Sequence, residues 1–338
     1  MTDNEFVDRE LSDKEKVIRM ASNIPQSTKD KKTLTYLNTR GDRLVFGTNT
    51  PLHVNVEKDV TGLSGMSNDI VSIISMGQHG NTQIGNRIVA RDIEIIGHIN
   101  MREKDLIHRM RRRINQVINP EFAGLLIYEF GDIRRVIDCS IQESSPDVAA
   151  PVLPRFILQI FCSNPFWRYD TEARQDIATW IGGFEFPIDR PDDDLPQGLE
   201  IPQDPENPTQ AIWQIGWREP SLIVNVFNGG DVMAGMRIDF RAMGMLVDPM
   251  LLNVVTGQFI RLNFTMQAGD VITVNTSWGE KSVTLQRGGV ETDAFRFLDP
   301  DSRYLQLAVG DNIFRYDALE NMYNLDITIH HNNLFLGV

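Results

Sequence analysis

The stretch Arg91-Asp92-Ile93-Glu94-Ile95-Ile96-Gly97-His98-Ile99 runs directly into Asn100-Met101-Arg102-Glu103, and the change of period across it decides the fold. From Ile93 onward apolar and polar residues alternate, which predicts a strand with one buried face. Beyond Asn100 the spacing becomes helical: Leu106, Met110, Ile114 and Ile118, supported by Ile107 and Val117, form one apolar stripe. Asn100 and Glu103 stand in capping-box spacing, and Asn119-Pro120 stops the run, so a helix is predicted from about Met101 to Ile118.

Outward from this pair the texture is that of strands and turns. Upstream, Thr35-Tyr36-Leu37 and Arg43-Leu44-Val45-Phe46 are punctuated by Gly41-Asp42, Gly47, Asn49 and Pro51. Downstream, Gly124 to Tyr128, Arg134 to Cys139 and Arg155 to Cys162 read as further strands. Residues 34–181 are therefore expected to form a β unit wrapped around one helix. Residues 1–33 are polar, with a weak helical stripe (Phe6, Val7, Leu11, Val17, Ile18) ended by Pro25, and are read as an N-terminal extension. No secretory signal pattern opens the chain.

Residues 182–211 hold Pro187, Pro191, Pro196, Pro202 and Pro205 among Asp189, Asp192, Asp193, Asp194, Glu200, Asp204 and Glu206. Prolines deny backbone donors and like charges repel, so an extended linker or insertion is expected. From 212 to 338, short strands recur at Leu222 to Phe227, Met236 to Arg241, Phe259 to Phe264, Val271 to Asn275, Ser282 to Gln286, Tyr304 to Leu307 and Leu325 to His330. Regular spacing without helices predicts an antiparallel β-sandwich. The fold class is mainly β.

Composition narrows the function. The 338 residues carry a formal net charge of −13, which argues against broad contact with a phosphate backbone. No apolar run approaches membrane-spanning length. Cys139 and Cys162 are too few for a disulfide framework or a thiolate metal site and read as buried apolar residues.

The order of parts resembles the phage distal tail protein (Dit) family. Its pattern of a Thr-Gly-Leu turn, a Gly-rich loop, a strand, a helix and a strand ending in Asn-Pro is met by Thr61-Gly62-Leu63, Gly77 to Thr82, Arg87 to Ile99, the predicted helix, and Ser163-Asn164-Pro165-Phe166. The second half is similar to the family's galectin-like sandwich through Asn228-Gly229-Gly230-Asp231, Thr256-Gly257, Gly269-Asp270, Asn275-Thr276 and Gly310-Asp311-Asn312. The resemblance implies an N-terminal split-barrel or sandwich domain that forms a homohexameric ring, with a galectin-like domain projecting from it. It implies a non-enzymatic hub at the virion tail tip, assembled in the host cytoplasm. The partners implied are the tail tube protein, a tail-tip hub or lysin protein, and a receptor-binding or side-fibre protein.

No nucleophile elbow, Walker loop, zincin motif or dinucleotide fingerprint occurs, so no catalytic residue, cofactor or metal is expected. Gly77, Gly80 and Gly85 precede a strand, which suits a hairpin loop rather than a phosphate cradle. His330 and His331 are adjacent, so on a strand only one could face a given metal. Asp192, Asp193 and Asp194 lack an EF-hand loop's glycine and terminal glutamate and read as solvated charge. Arg40-Gly41-Asp42 matches an integrin tripeptide by letters, yet suits a hairpin turn between strands. Trp278-Gly279-Glu280 offers a ring for sugar stacking beside an acceptor, so a carbohydrate-binding adhesin is the alternative function. Against it, the His-x-Asn-x-Arg strand of lectins is absent. Arg109, Arg112 and Arg113 fall away from the apolar stripe and are the candidate contact with a neighbouring subunit or the tail tube.

Overall fold

The structure is a computed structural model and describes residues 32–47, 54–56, 60–99, 103–146, 155–177, 180–182, 203–204, 207–211, 216–218 and 223–338. Nearly all of the expected extension, and Asp192, Asp193 and Asp194, lie outside them.

The first half supplies β1 (Thr33–Asn38), β2 (Arg43–Gly47), β3 (Val54–Val56), β4 (Asn68–Ile73), β5 (Thr82–Ile88), β6 (Arg91–Ile99), the helix α1 (Lys104–Val117), β7 (Gly124–Phe130), β8 (Ile133–Pro146), β9 (Arg155–Cys162) and β10 (Trp167–Arg168). Next come β11 (Ala173–Ile177), β12 (Trp180–Gly182), β13 (Gln203–Asp204), β14 (Asn207–Ala211) and β15 (Gly216–Arg218). The second half comprises β16 (Ile223–Asn228), β17 (Met236–Ala242), β18 (Leu246–Asn253), β19 (Phe259–Arg261), β20 (Thr265–Met266), β21 (Val271–Asn275), β22 (Ser282–Arg287), β23 (Val290–Asp293), β24 (Gly310–Glu320), β25 (Leu325–His331) and β26 (Leu334–Phe335).

A sheet ordered β2-β1-β7-β8-β9-β6-β3, with β10 and β26 attached, forms the first layer. Along β6 the residues Arg91, Ile93, Ile95 and Ile99 are buried while Asp92 is exposed, so the expected alternation holds. Helix α1 buries Ile107, Met110, Ile114 and Val117, the last three of them in one core with Tyr36, Phe46, Leu126, Phe156 and Leu158. Leu106 is left 39% exposed. The stripe follows 107, 110, 114, 117 because a 3.6-residue turn drifts away from strict fourfold spacing. Asn100, the first residue of the predicted capping box, lies outside the described residues. The helix starts at Lys104, and Glu103 is an N-cap without a side-chain bond.

The second half is an antiparallel sandwich. A six-stranded sheet, β11-β25-β17-β21-β22-β23, packs on β16-β24-β18-β19, to which β20 adds. Ile238, Phe240, Ile272, Val274, Phe314, Tyr316, Ile327 and Ile329 fill the space between them. Tyr304 to Leu307, expected as a strand, makes only a bridge from Leu307 to Ala234. Its alternation is that of a loop whose Leu305 and Leu307 plug the core. The long partner there is β24, which pairs with β16 and β18.

The halves exchange segments. β11 precedes the acidic stretch but is the edge strand of the second sheet, pairing with β25. The β12–β15 ladder then closes the base of an excursion whose far part pairs β13 with β14. A strand of the second half's sheet, β11, thus precedes the acidic stretch in the chain, and β16 follows it. Conversely, β26 returns to the first sheet, pairing with β10, and Phe335 joins its core.

Candidate functional site: assembly surfaces

Among the described residues, strands β4 and β5 pair only with each other, and none of their residues belongs to either core cluster, so they form a two-stranded arm. Ile70, Val71, Ile73 and Ile84 are all about half exposed or more, Ile74 is 77% exposed, and Met76 at the tip is fully exposed. The register shifts between Val71 and Ser72, a bulge that places Ile84 outside the pairing. The tip turns on Gly77 and Gly80, both with φ +80, as the hairpin reading of that loop expects. Polar bonds brace it: Asn81 Nδ2 donates to Ser72 Oγ at 3.2 Å, and Arg87 pairs with Asp69 at 3.1 Å near the base. An isolated two-stranded ribbon is marginal in water, and a row of exposed isoleucines on one is the kind of surface from which interactions are built.

The arm springs from a rigid node. Gly62 sits at φ +82 with its α-carbon against the Asp92 carbonyl, where a Cβ would collide. Thr61 pairs with Glu94 through two backbone bonds of 3.1 and 3.2 Å, and Leu63 is buried, its carbonyl accepting from Trp167 Nε1 at 3.1 Å. Arg91, 5% exposed, donates to the carbonyls of Pro165 (2.8 Å), Gly62 (2.6 Å) and Leu336 (2.6 Å). Burial lowers its pKa. Arg135 stacks on the Phe335 ring, 3.7 Å from its centroid, and donates to the Gly337 carbonyl. The motifs Thr61-Gly62-Leu63 and Asn164-Pro165 and the returning tail are therefore one cluster around Arg91.

Arg109, Arg112 and Arg113 are exposed on α1, on the side opposite its buried stripe, and none forms an ion pair among the described residues. Trp278 and Glu280 stand far from them in sequence, in the turn between β21 and β22, with Trp278 72% exposed. Lys281 Nζ covers the indole at 4.6 Å and also lies 4.9 Å from the Tyr304 ring. The outer face of the adjoining sheet is polar. His330 Nε2 meets Asp239 at 3.3 Å, Thr273 donates to the same carboxylate at 2.8 Å, and Thr328 donates to Asp176 at 2.7 Å. Burial would raise the Asp239 carboxyl, but the bonds from His330 and Thr273 and the nearby Arg237 outweigh it and hold it below the usual range.

His331, next to His330, is buried on the opposite side and shifted down by that burial, so the pair does not converge on one site. Arg40-Gly41-Asp42 is a turn: Asn38 Oδ1 accepts the N–H groups of Arg40 and Asp42, and Gly41 has φ +86. Sequence reading did not single out the arm. Its signal was present in Ile70-Val71-Ser72-Ile73-Ile74-Ser75-Met76, an apolar run beside a glycine loop, but exposure is invisible without the tertiary layer.

Two family models match the chain in succession. The phage tail protein RIFT-related domain covers residues 55–162, and the siphovirus-type tail component, C-terminal domain, covers 229–333. No curated protein sequence matches. Among solved structures, the Dit protein of phage SPP1, described as a paradigm of the hub adsorption apparatus in phages infecting Gram-positive bacteria, aligns with a TM-score of 0.60 at 12% identity, over 90% of this chain and 99% of that one. Two structures of the phage p2 baseplate in its activated conformation, with strontium and with calcium, align at TM-scores of 0.44 and 0.45, each at 12% identity over 91% of this chain and 99% of theirs.

Proposed function

Because the chain belongs to the distal tail protein (Dit) family of siphovirus-type tail components, we propose that it is the ring-forming hub of the tail tip. As a tail component it is a part of the virion, and both family models describe tail proteins rather than a class of enzyme. The single observation that carries the ring is the arm. Six exposed apolar residues on a ribbon with no sheet partner among the described residues are suited to cover by a second copy, and a neighbour that itself extends an arm propagates the contact head to tail until rotation closes it. Six copies is the number the family resemblance implies. The first domain then forms the ring, which joins the tail tube protein to the tail-tip hub or lysin protein, and the sandwich carries receptor-binding or side-fibre proteins. Arg109, Arg112 and Arg113 contribute guanidinium forks to acidic groups of the neighbour or the tube.

Mass photometry and electron micrographs of the purified full chain should show a closed ring of six, and Ile73→Asp with Ile74→Asp should leave single chains. A wild-type chain that stays monomeric at micromolar concentration would sink the proposal. Charge reversal at Arg112 and Arg113 should weaken ring or tube binding; unchanged assembly removes these residues from the contact.

A second reading rests on Trp278, whose exposure beside a polar sheet face suits sugar stacking. Glycan-array binding by the full chain, lost in Trp278→Ala, would support an adhesin role. No binding by the wild type leaves the hub reading alone.

A further inference from the structure

The nine-stranded sheet contains a cysteine pair in cross-strand register. The β8–β9 ladder ends at Ser140 facing Phe161, and continuing that register by one residue brings Cys139 to Cys162, its electrostatic neighbour. Flanking ladders fix both residues independently, since Cys139 pairs with Gly124 of β7 and Cys162 with Arg91 of β6. Directly opposed antiparallel residues have α-carbons about 4.5–5.5 Å apart and side chains on one face, inside the range of about 4.4–6.8 Å that a disulfide spans. Both side chains belong to the same core cluster, and both are free thiols in the structure.

We infer that Cys139 and Cys162 are a latent disulfide site that staples β8 to β9 when the assembled protein meets an oxidising medium. A phage tail is built in a reducing cell and released outside it, where disulfides persist. The chemistry with a small-molecule disulfide is two exchanges. One cysteine thiolate attacks the reagent, expels one small thiolate and forms a mixed disulfide. The second cysteine thiolate attacks that sulfur, expels the other small thiolate and closes the Cys139–Cys162 bond. The protein loses two protons and two electrons, and the reagent becomes two thiols. Burial pushes the Cys162 thiol up to about 12, and the neighbouring Arg91 offsets part of that rise. Burial, and then the neighbouring Cys162, also raise the Cys139 thiol well above its usual range. Oxidation is accordingly slow at neutral pH and gated by opening of the sheet. The staple lies one strand from the Arg91 node and would stiffen the base from which the arm projects.

The test is incubation of the full chain with oxidised glutathione at mildly alkaline pH, repeated at rising temperature to just below unfolding. The expected result is loss of both titratable thiols, a mapped peptide joining Cys139 to Cys162 within one chain, and a Tm higher by roughly 5–10 °C that dithiothreitol reverses. Cys139→Ser and Cys162→Ser should each end as a stable glutathione adduct without the gain in Tm. Retention of both thiols at every temperature, or linkage only between chains, overturns the inference. So does a wild-type chain that accumulates glutathione adducts without closing the bond.

Discussion

The arm of β4 and β5 and the paired sandwich strands β17 and β25 are made of the same residue types and do opposite things with them. In the sandwich, Ile238 faces Ile329 and Phe240 faces Ile327 across the ladder, and all four are buried under a second sheet. In the arm, Ile70, Ile73, Ile74 and Ile84 have no second layer among the described residues. A β-ribbon with one apolar face is half of a core. Where the chain supplies the other half the result is stability, and where no described residue supplies it an apolar face is left exposed.

That contrast can be attacked first at its strong side. Phe240→Ala removes a fully buried ring between the sandwich sheets and should cost about 3–5 kcal/mol, measured by denaturant unfolding. A loss below about 1 kcal/mol would mean the sandwich does not bear the load assigned to it.

The node between the halves comes next. Arg91→Leu strips partners from the carbonyls of Gly62, Pro165 and Leu336, and should cost about 3 kcal/mol while loosening the returning tail. Limited proteolysis should then cleave near Leu334–Phe335, which the wild type protects.

Acid should act on the sandwich in particular. Asp239 and Asp176 would be raised by burial but are held low by hydrogen bonds from His330 and Thr273 and from Thr328 and Arg174 respectively, and Asp270 is held low chiefly by Arg287. Folded carboxyls below their unfolded value bind fewer protons than the unfolded chain. Their contribution is therefore complete above the unfolded pKa of about 3.9 and is lost as pH falls through it toward the folded values. Tm followed downward from about pH 6 should drop in that window, and Asp239→Asn should flatten the drop.

The smallest effect on chain stability belongs to the arm. Ile73→Asp with Ile74→Asp should change intrinsic unfolding free energy by about 0.5 kcal/mol or less, because those side chains are already in water. The same variant should abolish assembly. A large loss of stability instead would show that the arm packs on its own chain, and the comparison would fail.

Strand and helix identity was legible wherever a pattern was local. β6, α1 and β25 follow from period alone, and Gly41, Gly77 and Gly80 turn where the sequence predicts. The basic residues Arg109, Arg112 and Arg113 were placed on the exposed side of α1 by the same reasoning. The strand at Tyr304 to Leu307 was misread, since its spacing mimics a pattern that tertiary contacts override. The family resemblance rested on turn residues, and these were readable because glycine at positive φ is a backbone requirement rather than a packing choice.

What the sequence by itself determined is thus the class of the protein, the identity of most strands and the absence of a recognisable catalytic motif, all of which depend on neighbours along the chain. The tertiary structure decided three things that depend on residues far apart. β11 and β26 cross between the halves, Arg91 gathers three distant carbonyls, and an apolar run that could have been core stands in solvent. Hydrophobic periodicity states which face wants a partner. Only the folded chain shows whether that partner is its own.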